Sequence, residues 1–164
     1  MRNALLPLFL VLFAFNANAQ DRTLSLMPTI GATATILDTG FGVHAGINPS
    51  LPLTERLSAE GQISYAYANV SASFLAGNKE QVHTAHALVG PRLYLSPAEH
   101  STRVYINVLT GLNYTQADAD NSAFAGGGYG LGLSGGAFLA FNRITVGLSY
   151  ETRQHTVLKA GFVF

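Results

Sequence analysis

The chain has 164 residues, of which 48% are hydrophobic and 11% are charged, whereas an average soluble domain carries roughly 25% charged residues. Nine basic residues balance nine acidic ones, so no basic surface is available for a phosphate backbone, and we exclude nucleic acid as a partner. The lack of cysteine excludes disulfides, thiolate metal sites and a cysteine nucleophile.

The first residues predict export from the cytoplasm. Met1 and Arg2 precede an apolar run from Ala4 to Phe15, and the small-residue sequence Ala17-Asn18-Ala19 follows. The run is shorter than the roughly 20 residues that a membrane-spanning helix needs, and Ala-x-Ala is typical of the site cleaved on export. We therefore predict a signal peptide over residues 1–19 and a single domain over residues 20–164.

The remaining sequence alternates between apolar and small polar residues, and a period of two indicates β-strands because successive side chains point to opposite faces. From Thr23 to Ile36 the even positions are apolar and the odd positions are mostly Thr, Ser and Gly. Leu88 interrupts the polar face of the fourth segment, and glycines leave the register of the sixth weakly defined. The seven later segments are residues 41–48, 56–68, 82–96, 103–114, 128–140, 143–150 and 155–164.

Eight alternating strands fit two architectures that differ in which face meets the core. A soluble lipocalin-like barrel turns its apolar face inward and needs a charged exterior, yet the polar faces here are mostly Thr, Ser, Gly and Asn. A membrane barrel turns the apolar face to lipid and fills its narrow interior with small polar residues. We therefore predict an all-β, eight-stranded antiparallel up-and-down transmembrane β-barrel. Pro28 lacks the N–H that a closed barrel uses, so we expect it at a bulge or below the membrane zone.

Aromatic residues fall at two levels if the mature N-terminus lies in the periplasm. The lipid-facing rings then form an outer and an inner girdle, which is typical of membrane barrels. The alternative is that Tyr and Phe occur there because they favour strands. The outer level holds Tyr65, Tyr67, Tyr114, Tyr150, Phe41 and Tyr129, and the inner level holds Phe141, Phe162 and Phe164.

Together with the export signal and the eight strands, two local sequences carry a family resemblance: Pro52 to Ser58 entering a strand, and the ending from Leu158 to Phe164. The chain resembles the small bacterial outer-membrane β-barrel proteins over its whole predicted mature length. In that family a terminal aromatic residue, preceded by apolar residues at alternate positions, is read by the barrel-assembly machinery. The resemblance implies a location in the outer membrane, with its lipid and that machinery as partners. The matching assembly-signal residues are Leu158, Ala160, Phe162 and Phe164.

The family includes adhesins, surface-protection proteins, membrane anchors and a few lipid-modifying enzymes, so the fold alone does not choose a function. Eight strands enclose only enough space for side chains, which excludes a wide porin channel. Neither His-x-Ser nor Ser-x-His, the spacing of an outward-facing lipid deacylase site, occurs in the sequence. We expect a non-enzymatic envelope protein engaged in adhesion or protection. A membrane-embedded lipid-modifying enzyme is the alternative, and a soluble carrier is a third interpretation.

We expect no catalytic residues, no cofactor and no metal site. His83 and His86, three apart on one strand, point to opposite faces and cannot chelate one ion unless His83 lies in the preceding loop. The acidic stretch from Asp118 to Asn121 begins like a calcium loop, but it lacks the sixth-position glycine and the later glutamate. A solvated loop is the favoured interpretation.

Interior charges are predicted on the third and fourth strands. Alternation turns Glu60 and Arg92 inward at matching height on neighbouring strands, so we predict an ion pair between them. Lys159, also inward, could join the pair only from across the lumen, and His44 is a further candidate interior partner. An unpaired charge in a narrow interior loses much of its hydration, which favours pairing.

The predicted outer loops are unequal in length. Residues 37–40 and 151–154 are short, while 69–81 and 115–125 are longer. The longer loops contain the apolar residues Phe74, Leu75 and Phe124, which could contact a partner, contact lipid head groups, or pack over the barrel mouth. The sequence names no surface ligand.

Overall fold

The computed structural model describes residues 23–35, 39–71, 79–97, 99–119 and 126–164. The predicted signal peptide lies outside these ranges. Within them, no helix is both long and apolar enough to cross a membrane. The strands are β1 (Ser25–Thr35), β2 (Thr39–Pro52), β3 (Leu57–Ser71), β4 (Lys79–Tyr94), β5 (Thr102–Ala119), β6 (Gly126–Phe141), β7 (Ile144–Glu151) and β8 (His155–Phe162).

The eight strands form a closed antiparallel barrel in chain order. β1 pairs with β8 from Thr29 opposite Gly161 to Ala34 opposite Thr156, which closes the barrel. Beyond that ladder, the Phe164 N–H donates to the Leu26 carbonyl at 2.9 Å in the same register. Pro28 lies between these two stretches, and its pairing with β2 is regular on both sides. No bulge is present at Pro28, the first of the two predicted possibilities; the residue lies near the start of β1, and the ladder with β8 is interrupted at this position.

The two faces of the barrel wall differ as the alternation predicts. On β1, Ile30 is 70% exposed on the outside, while its neighbour Thr29 is 5% exposed inside the barrel. The same division holds along the other strands, and it confirms the transmembrane-barrel prediction over the inward-apolar carrier. Large exposed apolar side chains include Phe41, Val43, Ile63, Val89, Val108, Leu112, Leu131, Leu139, Val146 and Leu158.

The interior is not uniformly polar. Tyr105 stacks on Phe138 with ring centroids 4.9 Å apart, and glycines make room for these rings. A Cβ atom added at Gly147 would lie 2.3 Å from the Phe138 ring. Leu88, which interrupts the polar face in the sequence, points inward and fills the space above Gly132, where an added Cβ would lie 2.6 Å from the leucine. The inward glycines thus match bulky partners on neighbouring strands.

Strands β3, β4, β5 and β6 extend outward beyond their predicted ends. β3 reaches Ser71 and β4 begins at Lys79, so part of the predicted loop 69–81 is strand. β5 reaches Ala119 and β6 begins at Gly126, which shortens the predicted loop 115–125 in the same way. Backbone pairing continues past the apolar band with polar side chains, and the apolar alternation that guided the prediction ends earlier. Phe74, Leu75 and Phe124 lie outside the described residues.

We call the outer ends of β3 to β6 the raised wall. β3, β4, β5 and β6 have 15, 16, 18 and 16 residues, whereas β7 and β8 have 8 each. β6 pairs with β7 only from Ser134 to Phe141, although β5 pairs with it as far as Gly126. The barrel mouth is therefore high on one side and low at the β7–β8 turn.

Candidate functional site

Glu60 on β3 is the centre of a buried polar cluster in the barrel. The structure brings Glu60 and Arg92 together, with Arg92 Nε donating to Glu60 Oε2 at 2.9 Å. Asn48 and Asn107 also donate to the carboxylate, at 2.9 and 3.1 Å. Arg92 pairs opposite Ser58, so the contact with Glu60 is diagonal and not level as predicted. We call these four residues the Glu60 cluster.

Arg92 is held from a second direction as well. Its guanidinium carbon lies 4.4 Å from the centre of the Tyr105 ring, and Nη1 donates to the Tyr94 hydroxyl at 3.3 Å. A cation over an aromatic face gains electrostatic stabilisation. The guanidinium is thus fixed between a carboxylate and the interior aromatic stack.

A second cluster forms around Glu151, a residue that the sequence pattern predicts in an outer loop. That placement is wrong: Glu151 is the last residue of β7 and is fully buried. Its Oε1 accepts from Lys159 and from Gln62 Nε2 at 3.1 Å, and Lys159 Nζ donates to Gln62 Oε1 at 3.0 Å. Lys159 therefore pairs across the β7–β8 hairpin and not with Glu60.

Two histidines complete this Glu151 cluster, defined as Glu151, Lys159, Gln62, His44 and His86. His86 Nδ1 lies 3.3 Å and His44 Nε2 lies 3.8 Å from Glu151 Oε2. His86 Nε2 also contacts the Thr152 carbonyl oxygen at 3.1 Å. His44, a predicted interior residue, is thus buried beside the carboxylate.

The polar groups of the two clusters are largely paired with one another. Across the described ranges, no group of three or more His, Asp or Glu side chains could hold a metal ion, and the Lys159 ammonium already occupies one oxygen of Glu151. The space between Glu60 and Lys159, lined also by Asn48, Met27 and Phe138, has no volume for a water molecule. Side chains of the two clusters therefore fill the part of the barrel interior between Glu60 and Lys159.

His83 and His86 point to opposite sides of the β4 wall, since His86 is buried inside and His83 is half-buried on the outside. His83 contacts the Tyr65 hydroxyl and lies 4.0 Å from Asp118. Asp118 belongs to β5 and not to a loop. This exterior group was missed in the sequence because its members come from three different strands.

The predicted assembly-signal residues lie on the outside of the last strand. Leu158, Ala160, Phe162 and Phe164 are exposed, and the Phe162 and Phe164 rings pack edge to face with centroids 5.0 Å apart. These side chains are accessible from the lipid side of the β8–β1 seam.

Among the described residues, the outer half of β6 has a free edge on the side that faces β7. Leu133 exchanges hydrogen bonds with Thr152 in the β7–β8 turn, so odd-numbered residues of β6 direct their backbone groups toward β7. Farther out, Leu131, Tyr129 and Gly127 have no backbone partner on that side among the described residues. Beside this edge, a cleft of about 360 Å³ at the barrel mouth is lined by Asn113, Thr115, Gly127, Gly128, Tyr129, Gly130 and Arg153.

No protein-family model matches the sequence, and no curated protein is significantly similar to it. Among solved structures, the chain is similar to Ail, the attachment invasion locus protein of Yersinia pestis, in complex with the heparin analogue sucrose octasulfate. Identity is 12% over 87% of this chain and 98% of Ail, with a TM-score of 0.54. A weaker match is Ail of Yersinia pestis in a phospholipid bilayer nanodisc, with 19% identity over 86% of this chain and 99% of that chain and a TM-score of 0.46. Another is the outer membrane enzyme PagL, with 14% identity over 85% of this chain and 96% of that chain and a TM-score of 0.47. The similarity to Ail shows that the two chains share the eight-stranded barrel fold.

Proposed function

We propose that this chain, an eight-stranded barrel of the bacterial outer membrane, is a non-enzymatic surface protein that mediates adhesion or protects the envelope. The observation that carries the proposal is the free edge of β6 on the raised wall. Unpaired backbone N–H and C=O groups at a sheet edge form a template for an added strand. An extended segment of a surface ligand would pair with Gly127, Tyr129 and Leu131.

The composition of this edge supports a backbone-directed contact. Gly126, Gly127, Gly128, Gly130 and Gly132 surround Tyr129 and Leu131, and glycine allows another backbone to approach closely. Edges that must not associate commonly carry charged side chains or proline, and residues 126–133 contain neither. The composition of residues 126–133 therefore supports the pairing of an added strand with this edge.

Tyr129→Pro tests this proposal. Proline removes the N–H that faces away from β5, so the pairing of β5 with β6 is kept while the free edge loses a donor. The matched control is Tyr129→Ala, which removes the ring and retains the N–H. Each variant and the wild type would be displayed by a non-adherent laboratory bacterium, and adherence to host cells and survival in serum would be measured.

We expect the wild type to raise adherence or serum survival, the proline variant to lose most of the gain, and the alanine variant to keep most of it. Surface display without any gain in either property would refute the proposed function. Equal losses in both variants would refute the role of the β6 edge. Because Ail was crystallised with a heparin analogue, soluble heparin is a suitable competitor, although only one guanidinium, Arg153, lines the mouth cleft.

The second candidate function is lipid modification. It is favoured by His83, which lies on the outside of the wall between the Tyr65 hydroxyl and the Asp118 carboxylate, because a base next to a proton donor is a requirement of acyl-transfer chemistry. Mass spectrometry of the lipids from the same displaying strain distinguishes the two functions. A change of acyl chain number that is lost in His83→Ala would support the enzyme.

A further inference from the structure

An aromatic cleft lies on the outer surface of β3, β4 and β5. Pairing places Tyr65, Ala85 and Tyr114 side by side on the three strands. The two rings form the walls and the alanine methyl forms the floor between them. The cleft encloses about 300 Å³, and His83, Gln116 and Asp118 close its outer end.

The cleft sits where the apolar exterior of the barrel ends. One pleat toward the periplasmic end, the outward residues of β3 and β5 are Ile63 and Leu112, both well exposed. Two pleats in the other direction, the outward positions of β3 and β5 are Asn69 and Asp118. This transition from apolar to polar exterior marks the level of the lipid head groups.

The polar end of the cleft carries an acidic group with few partners. Gln116 Nε2 donates to Asp118 Oδ1 at 3.3 Å, and His83 Nε2 lies 4.0 Å from Asp118 Oδ2. Throughout the described ranges, His83 is the only basic side chain within ion-pair distance of Asp118. A cleft lined by a carboxylate and two tyrosine rings matches an ammonium ion, which aromatic faces and carboxylates both attract.

Tyr65 connects this cleft to a second cavity. A groove of about 590 Å³, almost wholly apolar, lies on the outside of the barrel across β7, β8, β1 and β2 and includes Tyr65 of β3 in its wall. The groove is lined by small and branched side chains, among them Ile30, Ala32, Val43 and Leu158. An apolar groove that adjoins a polar cleft at the head-group level matches one lipid molecule, with the acyl chain in the groove and the head group in the cleft.

We propose that the cleft binds the ammonium head group of a membrane lipid while an acyl chain of the same lipid lies in the adjoining groove. The ammonium contacts the Tyr65 and Tyr114 rings and the Asp118 carboxylate. His83 holds the Tyr65 hydroxyl in place through its Nδ1 atom and packs against the Tyr67 ring, with centroids 5.1 Å apart. The assignment is independent of the β6 edge and of the adhesion function.

Native mass spectrometry of the folded barrel in detergent micelles tests the proposal. Phosphatidylethanolamine, phosphatidylcholine and phosphatidylglycerol with identical acyl chains would be offered at equal concentration. We expect the two ammonium lipids to be retained over phosphatidylglycerol. Each cation–aromatic or exposed ion-pair contact contributes about two- to fivefold in affinity, so Asp118→Asn and Tyr114→Leu should each lower the preference by about that factor.

Tyr150→Leu is the matched control, because Tyr150 is an exposed tyrosine at the same girdle that packs against His155 and is not among the residues that line the cleft. Tyr150→Leu should leave the lipid preference unchanged. Asp118→Glu, which retains the carboxylate that Asp118→Asn removes, should show the preference of the wild type. Heat-modifiability on gels would verify that every variant is folded. Equal retention of the three lipids by the wild type, or an equal loss in Tyr150→Leu, would overturn the proposal. Displacement of the bound lipid by an equimolar soluble lysine amide would assign the cleft to a protein side chain and likewise overturn it.

Discussion

Replacing Glu60 by Gln should lower the free energy of unfolding by about 3 kcal/mol, because it leaves the buried Arg92 guanidinium without a countercharge. The carboxylate accepts from Arg92 Nε at 2.9 Å and from Asn48 and Asn107 at 2.9 and 3.1 Å. Glutamine offers only one carbonyl oxygen to these three donors. Its amide N–H groups would face the donors that lose their acceptor. The substitution is nearly isosteric, so packing contributes little.

The magnitude follows from the cost of breaking a buried ion pair on one side, about 3–5 kcal/mol. The retained carbonyl and the Tyr105 ring, 4.4 Å from the guanidinium carbon, offset part of that loss. A double variant, Glu60→Met with Arg92→Met, removes both charges and should recover most of the stability. The comparison separates the cost of an orphaned charge from the cost of lost packing.

Unfolding would be followed in urea with the barrel in bilayers, using heat-modifiability and tyrosine fluorescence, since the chain has seven tyrosines and no tryptophan. Glu55→Gln is the control because Glu55 is exposed and exposed substitutions typically change stability by less than about 0.5 kcal/mol. If Glu60→Gln behaves like this control, or if the double Met variant is less stable than the single variant, the reasoning fails.

Removing Phe164 should reduce insertion of the barrel, because closure of the β8–β1 seam pairs the backbone groups that face lipid; normal insertion of a chain ending at Val163 would contradict this. Gly147→Ala should destabilise the barrel by about 1–3 kcal/mol, since the new methyl overlaps both the Phe138 ring and the Ala137 carbonyl oxygen, and Phe138→Leu in the same chain should restore only the part of the loss that comes from the ring. Planar-bilayer recordings should show no wide-pore conductance steps, because the space between the two clusters holds no water; steps of porin size would refute the filled interior.

Much of the fold was predictable because a lipid-facing barrel imposes a strict period of two on its sequence. The alternation around Ile30 and Thr29 identifies both the strand and the face that meets lipid, and the two inward charges on β3 and β4 follow from the same parity. The prediction placed Glu60 and Arg92 directly opposite each other, whereas Arg92 lies opposite Ser58 and reaches Glu60 diagonally. The alternation of a single strand does not define its register with the neighbouring strand.

Glu151 is the buried residue that the sequence pattern places wrongly, in a loop and not in β7. The stretch from Glu151 to Gln154 is polar throughout and was assigned to a loop, although Glu151 has the same parity as the inward Thr145 and Ser149 on β7. The buried Lys159 was a second available signal, since an inward ammonium requires a nearby carboxylate. The outer ends of β3 to β6 were missed for a different reason: above the membrane both faces of a strand are polar, so hydrophobic periodicity ends before the strand does.

Among the described residues, each buried pair of a carboxylate with an Arg or Lys side chain joins two strands of a single hairpin. Glu60 and Arg92 lie on β3 and β4, and Glu151 and Lys159 lie on β7 and β8. Either hairpin can therefore move from water to the bilayer with its buried carboxylate already paired to a cation of the same hairpin. Transfer of an isolated ion into a medium of low dielectric constant costs several kcal/mol, and a chain that inserted strand by strand would meet that cost twice. The placement of the charges favours a barrel that grows by hairpins.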